Sequence, residues 1–316
     1  MFDNKVLADQ RLILDPVNDG RHVLRKVPNA RESVPYLLNL PEHGIGLFTY
    51  TWVNEAGEAG AMMAVFGPGV GPEPFMLKLA DRPVPADMNF NDWRLEGLHM
   101  QQDLSFNKAR VRWNYGSIEL DLNFEAFHPP YAYGSDERGC MPYAADNRIE
   151  QSGTAVGTLK IGDKRIEFNT TGHRDHSWGT RDWVAAQHWK WVHAQCGPDL
   201  SVHFWVVEAM GKTELRGYVY KDKRMSVVTK VDVDFDFVGK LDAQSWTATV
   251  TDADQRVIQM EVKVVSRFQL VPHPDCCLNE HAGSAIIDGK PGVAWMEMMW
   301  PESYRNHIGA VGPYAY

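Results

Sequence analysis

No run of about 18 apolar residues, the length a membrane-spanning helix needs, occurs in the 316-residue chain, and no cluster of Lys and Arg interrupts its net charge of -9. The first absence predicts no membrane insertion. The second removes the positive field that nucleic acid and anionic lipid surfaces require, so neither is an expected partner. The start, Met1-Phe2-Asp3-Asn4-Lys5, carries an acid and an amide where a secretion signal needs a basic end and then an apolar run, which predicts a cytoplasmic protein. Cysteine is scarce. Of the four, Cys276 and Cys277 are adjacent, and Cys140 and Cys196 show no paired spacing, so free thiols are expected and a Cys-x-x-Cys metal site is not. Long helical periodicity is also missing. Short helices are predicted only at Arg31 to Leu38 and from Trp183 to His188.

What the chain has instead is period-2 alternation. Ile118, Leu120, Leu122, Phe124 and Ala126 point one way and Glu119, Asp121, Asn123 and Glu125 the other, the mark of a half-buried strand. Val111, Trp113 and Tyr115 alternate before it, and the slip of phase at Gly116-Ser117 predicts a hairpin turn there. Val231, Val233, Phe235 and Phe237 repeat the pattern, as do Trp246, Ala248 and Val250. Turns are expected again at Ile161-Gly162-Asp163-Lys164 and Ile287-Asp288-Gly289-Lys290. Closely spaced strands of this kind predict an all-β protein of antiparallel barrels or sandwiches. The stretch from Phe127 to Asn147, with several prolines and little alternation, reads as a linker. It divides the chain into two β halves, roughly 1–140 and 150–316, each about the size of one closed barrel.

The richest chemistry lies in Gly172-His173-Arg174-Asp175-His176-Ser177-Trp178-Gly179-Thr180-Arg181-Asp182-Trp183. Five of the 12 histidines and five of the 11 tryptophans fall between residues 173 and 205. In an extended segment His173, Asp175 and Ser177 share one face, and Arg174, His176 and Trp178 the other. Likewise Trp189, Trp191 and His193 line one face of a following strand, and His203 and Trp205 one face of the next. Such alternation of rings on an inner barrel face makes an apolar cavity with a few proton-transfer groups. A carboxyl there has its pKa raised by desolvation and serves as an acid near neutral pH. Asp175 is that candidate. His173 or His176 would orient it or act as partner base, while Trp178, Trp189, Trp191, His193, His203 and Trp205 would line the substrate pocket.

Three other readings of these residues stand beside that one. Arg174, Asp175, Arg181 and Asp182 form, in the second, a structural ion-pair clasp that keeps Asp175 ionised, the tryptophans then serving a carrier without chemistry. In the third, His173, Asp175 and His176 are zinc ligands of a hydrolase, completed by His188, His193 or His203; the neighbouring arginines repel a dication, so no bound metal or other cofactor is expected. In the fourth, His193 and His203 are hydrogen-bonded core histidines. Glu297, between Met296 and Met298, either faces the cavity or alternates outward. Gly67-Pro68-Gly69-Val70-Gly71-Pro72 lacks the context of a phosphate loop, and Ser177 lacks a nucleophile-elbow frame.

Asp175-His176-Ser177-Trp178-Gly179, preceded by Gly172-His173, resembles the Asp-His-Asn-Trp-Gly stretch of the carotenoid 1,2-hydratase (hydroxyneurosporene synthase) and AttH-like superfamily. Ile287-Asp288-Gly289 with Trp295 and Glu297 is similar to a closing strand pair of the same superfamily. The resemblance implies two lipocalin-like antiparallel β-barrels in tandem, an architecture shared with cyclases and Diels-Alderases of natural-product pathways. It also implies that Asp175 is the proton donor to an alkene. This chain has His173 where the hydratases carry Tyr, and Ser177 in place of Asn. The combined expectation is a cofactor-independent hydratase, isomerase or cyclase acting on a lipophilic terpenoid-, steroid- or polyketide-like molecule.

Overall fold

The computed structural model describes residues 15–312; the segment Met1 to Lys5, from which the absence of a secretion signal was read, lies outside the described residues. The first part of the chain runs through strands β1 (Ala30–Leu40), β2 (Ile45–Asn54), β3 (Glu58–Phe66), β4 (Phe75–Pro83), β5 (Trp93–Leu95), β6 (Leu98–Gln102), β7 (Lys108–Tyr115), β8 (Ile118–Ala126), β9 (Tyr131–Ala132), β10 (Asn147–Ile161) and β11 (Lys164–Thr180). They form one 11-stranded sheet in the order β4-β3-β2-β1-β11-β10-β8-β7-β6-β5, with β9 on β10. Strands β12 (Ala186–Gln195), β13 (Leu200–Ala209), β14 (Lys212–Lys221), β15 (Arg224–Val238), β16 (Asp242–Asp252), β17 (Val257–His273), β18 (Cys276–Ile287) and β19 (Lys290–Trp300) close into an eight-stranded barrel. Helix α1 (Glu302–Val311) follows. The fold is all-β, as expected.

The turns lie where the sequence places them. Tyr115 pairs with Ile118 around Gly116, whose φ of 59° suits glycine, while Ile161 pairs with Lys164 and Ile287 with Lys290. Ile118, Leu120, Leu122 and Phe124 are buried together inside the first sheet. Trp246, Ala248 and Val250 are buried inside the barrel.

Four expectations need correction. Arg31 to Leu38 is not a helix but the heart of β1, paired with β2 on one side and β11 on the other. Ten of its eleven residues are buried, so both faces are covered and the alternation that marks a half-exposed strand disappears. Trp183 to His188 holds a turn and then the start of β12, which opens with a bulge between Ala186 and His188. The stretch Phe127 to Asn147 is no free linker: Tyr131, Tyr133 and Met141 are buried in one cluster with Trp189, Trp191 and Trp205 of the barrel, a strap held by aromatic packing rather than by a period. Finally, the motif strand belongs to the first sheet. The sheets divide between Thr180 and Ala186, because the hairpin at Gly162-Asp163 ties β11 to β10 along its length.

Candidate active site

Alternation along β11 sorts the motif as its sequence implies. The register with β10 sets Asp175 opposite Glu150, His173 opposite Ser152 and Ser177 opposite Arg148, and this face meets the barrel. On the other side of β11 the β1 ladder skips Val34 and Pro35, the latter having no N–H to give. The interruption falls beside Asp175.

Arg148 is the hub of the site. Its guanidinium lies 2.6 Å from Asp175 Oδ2 and 2.6 Å from Glu150 Oε1, and it stacks over the rings of Trp191 and Trp205, 5.5 and 5.0 Å from their centroids. Glu150 collects further donors: Trp191 Nε1 at 3.0 Å, the Tyr133 hydroxyl at 3.3 Å and His173 Nε2 at 2.9 Å. Burial works to raise its pKa, but the Arg148 charge and the hydrogen bond from His173 outweigh burial and hold it well below the usual carboxylate range. Among the described residues Asp175 has Arg148 as its one close partner. Burial dominates there, and against the pull of Arg148 it pushes the carboxyl up to about 7. One buried cation thus serves two carboxylates whose surroundings drive their pKa values apart, the pattern that assigns an acid.

A cavity of about 760 Å³ opens between the sheet and the barrel, lined by Phe48, Tyr50, Trp52, Trp183, Trp189, Trp191 and Trp205, with Asp175, Arg148, Arg181 and Glu297 among its polar groups. Of the residues singled out in the sequence, Asp175, Trp189, Trp191, Trp205 and Glu297 are on this wall. His173, His193 and His203 lie behind it. His173 stacks on His193 at 4.3 Å and His203 at 5.7 Å. Burial lowers the pKa of all three, that of His203 to about 3, so they stand as neutral, hydrogen-bonded groups. His176 and Trp178 face the opposite side of β11, where His176 Nε2 is 2.7 Å from Glu32 Oε1 and Trp178 stacks on His22 at 3.9 Å. Neither meets Asp175.

The arginine clasp also differs from expectation. Arg174 pairs with Asp19 at 3.0 Å, and Arg181 donates to Ser177 Oγ at 2.7 Å; the cation on Asp175 comes from β10. His173, Asp175 and His176 do not converge as metal ligands. Among the described residues the groupings that do are Glu150 with His173 and His203, and His22 with Glu32 and His176, the former beside the Arg148 guanidinium that would repel a cation. Arg148 and Glu150 escape a reading of the motif alone, their signal being two opposite charges spaced by two at the start of β10. His188 sits apart, its Nδ1–H donating to Met299 O and its ring stacked on Trp300.

Gly179 in the motif is a structural requirement. Its φ is 117°, and a Cβ there would come within 2.4 Å of Asp146 N. Substitution Gly179→Ala is expected to lose about 2–4 kcal/mol from backbone strain and overlap together, read as a fall in the urea midpoint without loss of the slope.

A family model described as a domain of unknown function, DUF7064, matches residues 15–302. The quinolone epoxide rearrangement protein penF of Penicillium thymicola is 32% identical over 97 residues, which cover 29% of this chain and 27% of that protein. The crystal structure of CghA with Sch210972 superposes with a TM-score of 0.64 at 12% identity, over 87% of this chain and 89% of that one. Kievitone hydratase from Nectria haematococca gives 0.59 at 9%, over 87% and 90%. An AttH-type protein of Nitrosomonas europaea gives 0.62 at 12%, over 87% and 96%. The fold extends across nearly the whole chain in each case, including the AttH type that the motif resembles.

Proposed function

The chain belongs to the DUF7064 family, and we propose that it is a cofactor-independent acid/base enzyme, a hydratase, isomerase or cyclase, that transforms a lipophilic terpenoid-, steroid- or polyketide-like molecule. The observation that carries this reading is Asp175, a carboxyl pushed up to about 7 on the wall of a cavity of about 760 Å³ rich in aromatic rings. Near neutral pH such a group holds a proton for part of the time and returns to a carboxylate that Arg148 stabilises. Donation to an alkene or epoxide oxygen leaves a cation on the bound molecule. The ring of Trp189 on the cavity wall is placed to attract that cation. The apolar wall keeps bulk water from quenching it. Two proteins this chain is similar to, a kievitone hydratase and a quinolone epoxide rearrangement protein, bear names compatible with this chemistry.

A lipophilic epoxide that rearranges on protonation, α-pinene oxide, tests the proposal without knowledge of the natural substrate. The protein is expected to speed its conversion near neutral pH. As the acid is the working form, the rate above background falls about tenfold per pH unit above the Asp175 pKa, with the bend near 7. A carrier binds the epoxide and leaves it unchanged. A rate that rises with pH through neutrality removes Asp175 as the acid.

A further inference from the structure

A second pair of carboxyls adjoins the same cavity from the barrel. Glu280 on β18 and Glu297 on β19 are direct cross-strand partners. Glu280 is buried at 1% exposure, and Glu297 reaches the cavity wall. Each takes one indole N–H, Glu280 Oε2 from Trp295 at 2.7 Å and Glu297 Oε1 from Trp189 at 2.8 Å. Among the described residues neither forms an ion pair, and Glu280 Oε1 has no donor of its own. Two buried acceptors side by side without a cation cannot both be ionised. A single proton resolves both defects, since protonated Glu280 gives Glu297 a hydrogen bond and leaves one negative charge at the cavity. The charged groups that act on Glu297 besides Glu280 are Arg148 and Arg181, which favour its carboxylate less than burial disfavours it, and Asp175, which repels it when both are ionised.

We propose that Glu297 is the base that completes the reaction, with Glu280 as its positioning residue, so that the overall conversion is an isomerisation in which no water oxygen is retained. The inference rests on the acid reading of Asp175. In balance, the Asp175 O–H bond breaks and a bond from that hydrogen to the substrate forms. Glu297 then removes a proton from the carbon next to the cation, and the electrons of that C–H bond close the new double bond. The protein is left with Asp175 ionised and Glu297 protonated. Proton exchange with solvent resets both. Glu280 keeps its own proton throughout, and its hydrogen bond holds Glu297 as a carboxylate aimed into the cavity.

The base can be tested apart from the acid with 5-nitrobenzisoxazole, whose ring opens when a base removes its C–H proton. The full chain is expected to accelerate that opening, and Glu297→Gln to lower the rate by about a hundredfold. Glu280→Gln, which keeps a donor toward Glu297, is expected to retain more of the rate than Glu280→Leu. In protein labelled with carbon-13 at the glutamate carboxyls, one resonance stays at the protonated position at neutral pH, and Glu280→Gln removes it. With α-pinene oxide in oxygen-18-labelled water the product carries no oxygen label from the solvent. No acceleration of ring opening, an undiminished rate in Glu297→Gln, a protonated resonance that survives Glu280→Gln, or label in the product overturns the proposal. Failure of the epoxide assay alone, with ring opening intact, removes the acid and leaves the base.

Discussion

Asp175→Asn is expected to cut the rate of α-pinene oxide conversion by about 10²–10⁴-fold, the usual contribution of a positioned general acid. The substitution is nearly isosteric. Asn keeps an oxygen to accept from Arg148, which lies 2.6 Å from the present carboxyl, but its amide cannot give up a proton to carbon or to an epoxide. Folding should survive, because Arg148 retains Glu150 as a counter-charge and the protein no longer has to desolvate a second carboxyl on one cation. Thermal unfolding at or above the wild-type temperature, together with unchanged binding of the neutral fluorescent ligand N-phenyl-1-naphthylamine, would separate loss of chemistry from loss of the cavity. Full turnover in this variant would assign the acid elsewhere. A cut in both turnover and binding would instead mark Asp175 as part of the cavity's structure.

The legible part of this molecule follows from solvent on one face of a strand. β8 and β16 each show buried and exposed residues in turn, and that contrast is what a sequence displays. β1 and the second half of β11 are covered on both faces, so their residues carry no alternation of polarity. In β1 this erased the strand altogether. In β11 the chemistry survived because histidine, aspartate and arginine are conspicuous wherever they are buried, and the side each faces follows from extended geometry alone. Arg148 and Glu150 were reachable by a further step. Counting outward from the pair Ile161 and Lys164 brings Glu150 opposite Asp175, so the turn at Gly162-Asp163 contained the register of the site. No such count brings Glu280 and Glu297 to the cavity. Their place there depends on how the barrel packs against the sheet, with Trp189 and Trp191 pointing into the gap.

Arg148→Met is expected to cost about 3–5 kcal/mol of stability, the penalty for leaving a buried charge without its partner, and is read from the urea midpoint. Methionine fills much of the space of the arginine stem between Trp191 and Trp205, so the loss should come from charge more than from a void. Glu150 is then the source of the deficit, and the double variant Arg148→Met, Glu150→Gln should recover most of it, since Gln still accepts from Trp191 Nε1 and the Tyr133 hydroxyl. The pH dependence gives the same cause a second signature. Without the cation, Glu150 in the folded protein passes from a depressed pKa to one above its unfolded value, so the proton that stabilised the unfolded state in the wild type now stabilises the folded state in the variant. The stability deficit of Arg148→Met therefore narrows as pH falls toward the ordinary carboxylate value of about 4.3, and the double variant keeps only the part of that narrowing that Asp175 carries. Asp175 loses the same cation, and its pKa moves higher still. In whatever turnover the single variant retains, the bend of the rate profile shifts above that of the wild type.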